Sequence, residues 1–271
     1  MRAIISLRLT FQQLQQGDLS RVKKISSTFS RLLPFLALLV VALGCGQDDK
    51  SETSTTGANS STTTASTPAS TSTADIVGTY DISGTNENGA GAYKGTLEVK
   101  SRGDVYQLSW NTAGKTYDGV GVRTGNNLGV AFAEGENGEG CGVVLYKVGA
   151  DGTLDGKAGY WGNNSSESET ATRNSGTGLE GDYSIKGKNT QGKPYEGTLG
   201  VKKSGAGYAF TWQAPSTLSG FGIQQGQSVA VGIGGNKCGF VSYEVKSDGT
   251  LDGKWGGYGS TSVGTEVAKK K

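Results

Sequence analysis

The chain has 271 residues, with 46 glycines, 4 prolines and no histidine, and 26 basic against 24 acidic side chains. So much glycine with so little proline points to a turn-rich all-β protein, and the missing histidine removes Ser-His-Asp and Cys-His nucleophiles and the usual His-bearing zinc sites. The formal charge of +2 becomes about −3 once residues 1–44, with six basic and one acidic side chain, are set aside, so nothing resembles the basic footprint of nucleic-acid binding.

Residues 32–43, LLPFLALLVVAL, follow Lys23, Lys24 and Arg31 and end at Gly44-Cys45. An apolar run of this length with an internal proline is too short to span a bilayer and reads as the core of a signal peptide covering 1–44. The Ala42-Leu43-Gly44-Cys45 ending resembles the lipobox of bacterial lipoproteins. That resemblance implies that Cys45 becomes the mature N-terminus and holds the protein to the membrane through lipid. Gly46 stands where an Asp would retain such a protein in the inner membrane, which implies the outer membrane or cell surface. Met1 is the sole methionine and Val22-Lys23-Lys24 is the better beginning for a signal peptide, so residues 1–21 read as untranslated. Residues 45–74 are rich in Ser and Thr and have nothing large and apolar; such a stretch cannot offset the entropy of ordering and is expected to be a disordered tether.

The heptapeptide DGTLDGK occurs at 151–157 and again at 248–254. Around it Tyr80 aligns with Tyr183, Tyr93 with Tyr195, Trp110 with Trp212 and Cys141 with Cys238, so one unit is written twice. The first β repeat spans 75–162 and the second 179–271, joined by a polar segment at 163–178 that reads as a linker. Ile76, Gly78, Tyr80 and Ile82 share one strand face, as do Leu179, Gly181, Tyr183 and Ile185. Next come Tyr93, Gly95, Leu97 and Val99 with their counterparts from Tyr195 to Val201, then Tyr106, Leu108 and Trp110 with Tyr208, Phe210 and Trp212. Period two with one apolar face predicts half-buried antiparallel strands. Further strands are predicted at 117–123, 128–132, 142–148 and 153–158 and at their counterparts. Seven or eight short strands per repeat point to two tandem small antiparallel meander barrels, with sandwiches as the alternative. The closing Gly264–Val267 lacks a clean partner after Trp161, so either the first repeat misses its last strand or 163–178 supplies it.

Asp151, Asp155, Asp248 and Asp252 invite a calcium-loop reading, but their flanks lack the further acids that hard cations need, and Asp-Gly is a hairpin-turn signal. No metal and no cofactor are expected. Cys141 and Cys238 form a disulfide if the faces that carry them meet; two separately buried thiols are the plainer arrangement. Most aromatic side chains recur on the inward face and read as core, whereas Trp161 and Trp255 do not align with each other and are the candidates for exposed contact. No acidic pair has a setting that argues for carboxylate catalysis.

The succession G-x-Y, Y-x-G-T-L, Y-x-(L/F)-x-W, G-x-G and V-x-Y-x-V-x-x-D-G-T-L-D-G, over 78–157 and 181–255, resembles a family of short exported bacterial β proteins, mostly uncharacterised and sometimes labelled fibronectin-binding. Taken together, the lipobox-like ending, the missing histidine and the two repeats lead to the expectation of a non-enzymatic, lipid-anchored envelope protein that presents two β modules to an extracellular or periplasmic protein or glycan. Ser204-Gly205-Ala206-Gly207-Tyr208 is similar to a loop of periplasmic lysozyme-inhibitor lipoproteins, which makes lysozyme inhibition an alternative. A carrier of a small apolar ligand in a barrel lumen is the third reading. It requires an empty lumen, and strands of five to seven residues with inward aromatics predict a filled barrel.

Overall fold

The computed structural model describes residues 74–135, 137–214 and 216–271; the signal peptide expected over 1–44, Cys45 and all but the last residue of the tether expected over 45–74 lie outside the described residues. Sixteen strands run through them. The first five are β1 (Gly78–Thr85), β2 (Ala92–Arg102), β3 (Val105–Thr112), β4 (Lys115–Thr124) and β5 (Asn127–Glu134). They are followed by β6 (Gly142–Val148), β7 (Leu154–Tyr160) and β8 (Glu167–Arg173). The second set repeats the first as β9 (Gly181–Lys188), β10 (Pro194–Ser204), β11 (Gly207–Ala214), β12 (Ser216–Gln225) and β13 (Ser228–Ile233), then β14 (Gly239–Val245), β15 (Leu251–Gly256) and β16 (Gly264–Lys270).

Every pairing is antiparallel and the strands close into two barrels of eight. Alternation explains the inward faces. In β1, Tyr80 and Ile82 are buried between exposed Thr79, Asp81 and Ser83, and in β9 Tyr183 and Ile185 repeat the pattern. One end of each barrel is plugged by the residue two positions ahead of its first strand. Ile76 and Leu179 are buried, and their carbonyls accept hydrogen bonds from Tyr80 Oη at 2.7 Å and Tyr183 Oη at 2.8 Å.

The barrels do not coincide with the repeats. The first consists of β1–β5 closed by β14, β15 and β16, and the second of β9–β13 closed by β6, β7 and β8. Each repeat therefore gives its last three strands to the barrel begun by the other. At the exchange β5 pairs with β14, with Val130 opposite Val241, and β13 pairs with β6, with Val231 opposite Val144. These are the same contacts with the partners traded, as in a domain swap within one chain. The segment 163–178 is not simply a linker. It contains β8, the counterpart of β16, so the first repeat does possess its eighth strand.

The exchange packs the barrels against each other. Val120, Val122, Ala131, Val143, Leu145 and Ala230 form a second apolar cluster with Val105 and the two cysteines, and Phe221 and Ile223 pack on Phe240. Strands buried on both faces lose their polar alternation, which is why β13 reads SVAVGI and is buried throughout. Two hairpins reach across reciprocally: Asp104 N–H donates to Asn164 O at 2.8 Å and Ala206 N–H to Ser260 O at 3.0 Å. Cys141 and Cys238, just ahead of β6 and β14, are bonded to each other with Cα atoms 5.8 Å apart. The disulfide joins the two crossover segments where they meet.

Candidate functional site

The heptapeptide builds more than a turn. Asp151 Oδ1 accepts from Thr153 N–H at 2.9 Å, and Asp248 Oδ1 accepts from Thr250 N–H at 2.9 Å; these bonds close Asx turns and hold both carboxyls below the usual range. Leu154 and Leu251 enter the cores. The second glycine, Gly156 or Gly253, stands opposite Tyr146 or Tyr243 in the neighbouring strand. A Cβ on Gly253 would lie 2.4 Å from the Tyr243 ring, and one on Gly156 2.6 Å from that of Tyr146. Glycine here lets each ring lie flat along the wall.

Those two rings carry their hydroxyls to a buried carboxylate. In the first barrel Glu266 Oε1 accepts from Trp110 Nε1–H at 3.0 Å and from Tyr243 Oη–H, and its Oε2 accepts from Tyr93 Oη–H at 2.9 Å. In the second, Glu169 Oε1 accepts from Trp212 Nε1–H at 3.1 Å and from Tyr146 Oη–H, and its Oε2 accepts from Tyr195 Oη–H at 3.1 Å. Glu266 is 4% exposed and Glu169 7%. Burial, reinforced by the adjacent carboxylate, pushes all four phenols above their ordinary pKa, which keeps them as donors. The β8 and β16 strands place these glutamates by the same rule: Glu169 and Ala171, like Glu266 and Ala268, alternate inward.

Above each carboxylate the barrel opens into a cavity at its mouth, of about 400 Å³ in the first barrel and about 410 Å³ in the second. The expectation of filled barrels is corrected. Strands run from six to eleven residues, and aromatic rings lie against cross-strand glycines instead of across the lumen. Besides Gly253 and Gly156, Gly84 and Gly187 lie under Tyr93 and Tyr195. The floors match, each having a Tyr, a Trp and a Glu, but the walls differ. The first cavity has Tyr117, Phe132 and Trp255, where the second has Leu218, Ile233 and Ala158. The second also carries Glu167, whose carboxyl is raised by burial and by the neighbouring Glu169; Gly264 occupies that place in the first barrel.

Trp161 and Trp255 are both half-buried. Trp255 is half-buried over Gly264 and lines the first cavity, and Trp161 is half-buried against Gly138 at the barrel–barrel cluster. The exposed ring at this end of the repeats is Tyr258, at 49%. The aspartates of the heptapeptides do not converge: Asp155 Oδ1 accepts from Thr170 Oγ1–H at 3.3 Å and Asp252 lies 3.7 Å from Lys246. Among the described residues no cluster of three or more acidic or cysteine ligands could hold a metal ion.

Glu169 and Glu266 escape a search for inward residues by hydrophobicity. Their signal is positional: each stands eighteen residues after the first Asp of its heptapeptide, in Ser168-Glu169-Thr170-Ala171 and Thr265-Glu266-Val267-Ala268. No protein-family model, no curated protein and no solved structure matches the chain.

Proposed function

We propose an exported, lipid-anchored binding protein of the cell envelope, without catalytic activity, that takes a small molecule into the mouth of each barrel. The observation carrying this reading is the pair of cavities of about 400 and 410 Å³ at equivalent mouths, each with the same Tyr–Trp–Glu floor. Volumes in this range suit small organic ligands. Duplication of the floor with divergence of the walls fits two sites of related chemistry and different selectivity.

Binding is favoured over catalysis by the state of the carboxylates. Glu169 and Glu266 are each engaged by three donors, and the pair Glu167 and Glu169 in the second cavity has no counterpart in the first. A small molecule is favoured over a protein or glycan because Val77 and Tyr258 are the large apolar side chains that stand exposed among the described residues. Lysozyme inhibition loses support because the Ser204–Tyr208 loop is engaged through Ala206 by the loop at Ser260.

Ligand-observed NMR screening of a small-molecule library against the purified protein, followed by tryptophan fluorescence, tests the reading. Trp110, Trp212 and Trp255 line the cavities, so compounds that bind should change tryptophan emission and saturate at one site per cavity that accepts them. A library in which no compound perturbs these tryptophans would contradict it.

A further inference from the structure

We infer that the cavity of the first barrel takes an organic cation with an alkylated ammonium head, seated among the rings of Tyr93, Trp110, Tyr117, Phe132 and Trp255 over the Glu266 carboxylate; this rests on the two-cavity reading above. The rings stand in two groups that line the same cavity. Phe132 meets Trp110 at 5.7 Å between centroids and Tyr117 at 5.8 Å, and Tyr93 meets Trp255 edge-on at 6.3 Å. Aromatic faces carry negative potential and attract cations that lie against them.

The floor adds a carboxylate whose two oxygens both face donors. Glu266 accepts three hydrogen bonds, all from uncharged donors, and among the described residues it makes no ion pair. Lys115, the cation lining this cavity, is held by Glu134 at 3.0 Å. A buried carboxylate without a counter-charge is costly, and a cationic ligand supplies the counter-charge. A purely apolar ligand would instead seal the carboxylate against hydrocarbon, and an anion would be repelled. An alkylated head suits the site because its charge is spread over methyl groups that contact rings, and it needs no strong acceptor where the carboxylate is already engaged.

The second barrel provides the contrast. It keeps the carboxylate, the Tyr and the Trp but has Leu218, Ile233 and Ala158 where the first has Tyr117, Phe132 and Trp255. The floor is thus common to both sites, and the wall selects the ligand. It also supplies substitutions that a barrel of this type tolerates, Trp255→Ala and Phe132→Ile.

Calorimetric titration of the purified protein with choline chloride and with its neutral isostere 3,3-dimethylbutan-1-ol tests the inference. Choline should bind about tenfold or more tightly than the alcohol at one strong site per chain, and Trp255→Ala or Phe132→Ile should each weaken choline about tenfold with the circular dichroism spectrum unchanged. Equal affinity for the two probes, or choline binding indifferent to both substitutions, overturns the cation assignment and leaves the two-cavity reading in place. Failure of choline while library compounds still quench the cavity tryptophans overturns it too. If no compound of any charge reaches the tryptophans, the two-cavity reading itself falls.

Discussion

At the scale of single residues the protein is organised around two carboxylates that a hydrophobic core would ordinarily exclude. Glu169 and Glu266 are tolerated because three donors converge on each, and hydrogen bonds to a charged acceptor are worth about 1.5–3 kcal/mol apiece. Tyr243→Phe keeps the ring and removes one donor, and should lower the unfolding free energy by about 2 kcal/mol in urea denaturation. Tyr146→Phe should cost a similar amount, and the two should add because each serves a different barrel. A change below about 0.5 kcal/mol would show that the hydroxyl contributes nothing net. The phenols also give a pH signature. Tyr93, Tyr146, Tyr195 and Tyr243 are pushed up, and Tyr80 and Tyr160 reach about 12, with burial the leading cause in every case. A folded-state pKa above the unfolded value of about 10 means that this contribution is complete below pH 10 and drains away as the pH rises toward the folded values. In a titration followed at 295 nm these six tyrosines should stay protonated at pH 11 while the fold persists. Ionisation of every tyrosine near pH 10 in the folded protein would contradict this.

At the scale of elements, the sequence exposes strands wherever one face is apolar and the other polar, as in β1, β2 and β3 and their counterparts. It is less open where the pattern breaks. Strands β5, β6 and β13 show near-continuous apolar runs, and that loss of alternation is the mark of a second buried face, here the other barrel. Strand β8 fails in the opposite direction. ESETATR carries one small apolar residue inward, Ala171, beside Glu169, so hydrophobicity reads it as linker although it closes a barrel. The site was hidden for the same reason, since its central residue is polar and its aromatic partners look like core. The cysteines are legible as a pair only once the outer faces are known to meet. Their bond encloses a segment of 97 residues, and a native disulfide typically contributes about 2–4 kcal/mol by restricting the unfolded chain. Cys141→Ser combined with Cys238→Ser should lower stability by that amount in guanidinium denaturation. Unchanged stability would mean that the link closes no loop in the native protein.

At the scale of the whole molecule, the two repeats are interlocked rather than set side by side. Duplication explains how this is possible. Val241 and Tyr243 stand in β14 where Val144 and Tyr146 stand in β6, so β5 meets nearly the same partner whether it pairs within its own repeat or with the other. Strand chemistry cannot choose between the two arrangements, which is why the sequence alone predicts barrels but not their ownership. What separates them is the extra burial at Val120, Val122, Val143 and Leu145 and at Phe221 and Phe240, together with the disulfide at the crossing. The exchange also places both cavity mouths at the crossover ends of their barrels, beside Phe132 and Ile233 where β5 and β13 end. The most direct test is the backbone NOE pattern of the isotope-labelled protein. The interlocked fold predicts antiparallel ladders joining Gly129–Ala131 to Phe240–Ser242 and Val143–Leu145 to Ala230–Gly232; ladders joining β5 to β6 and β13 to β14 would contradict it.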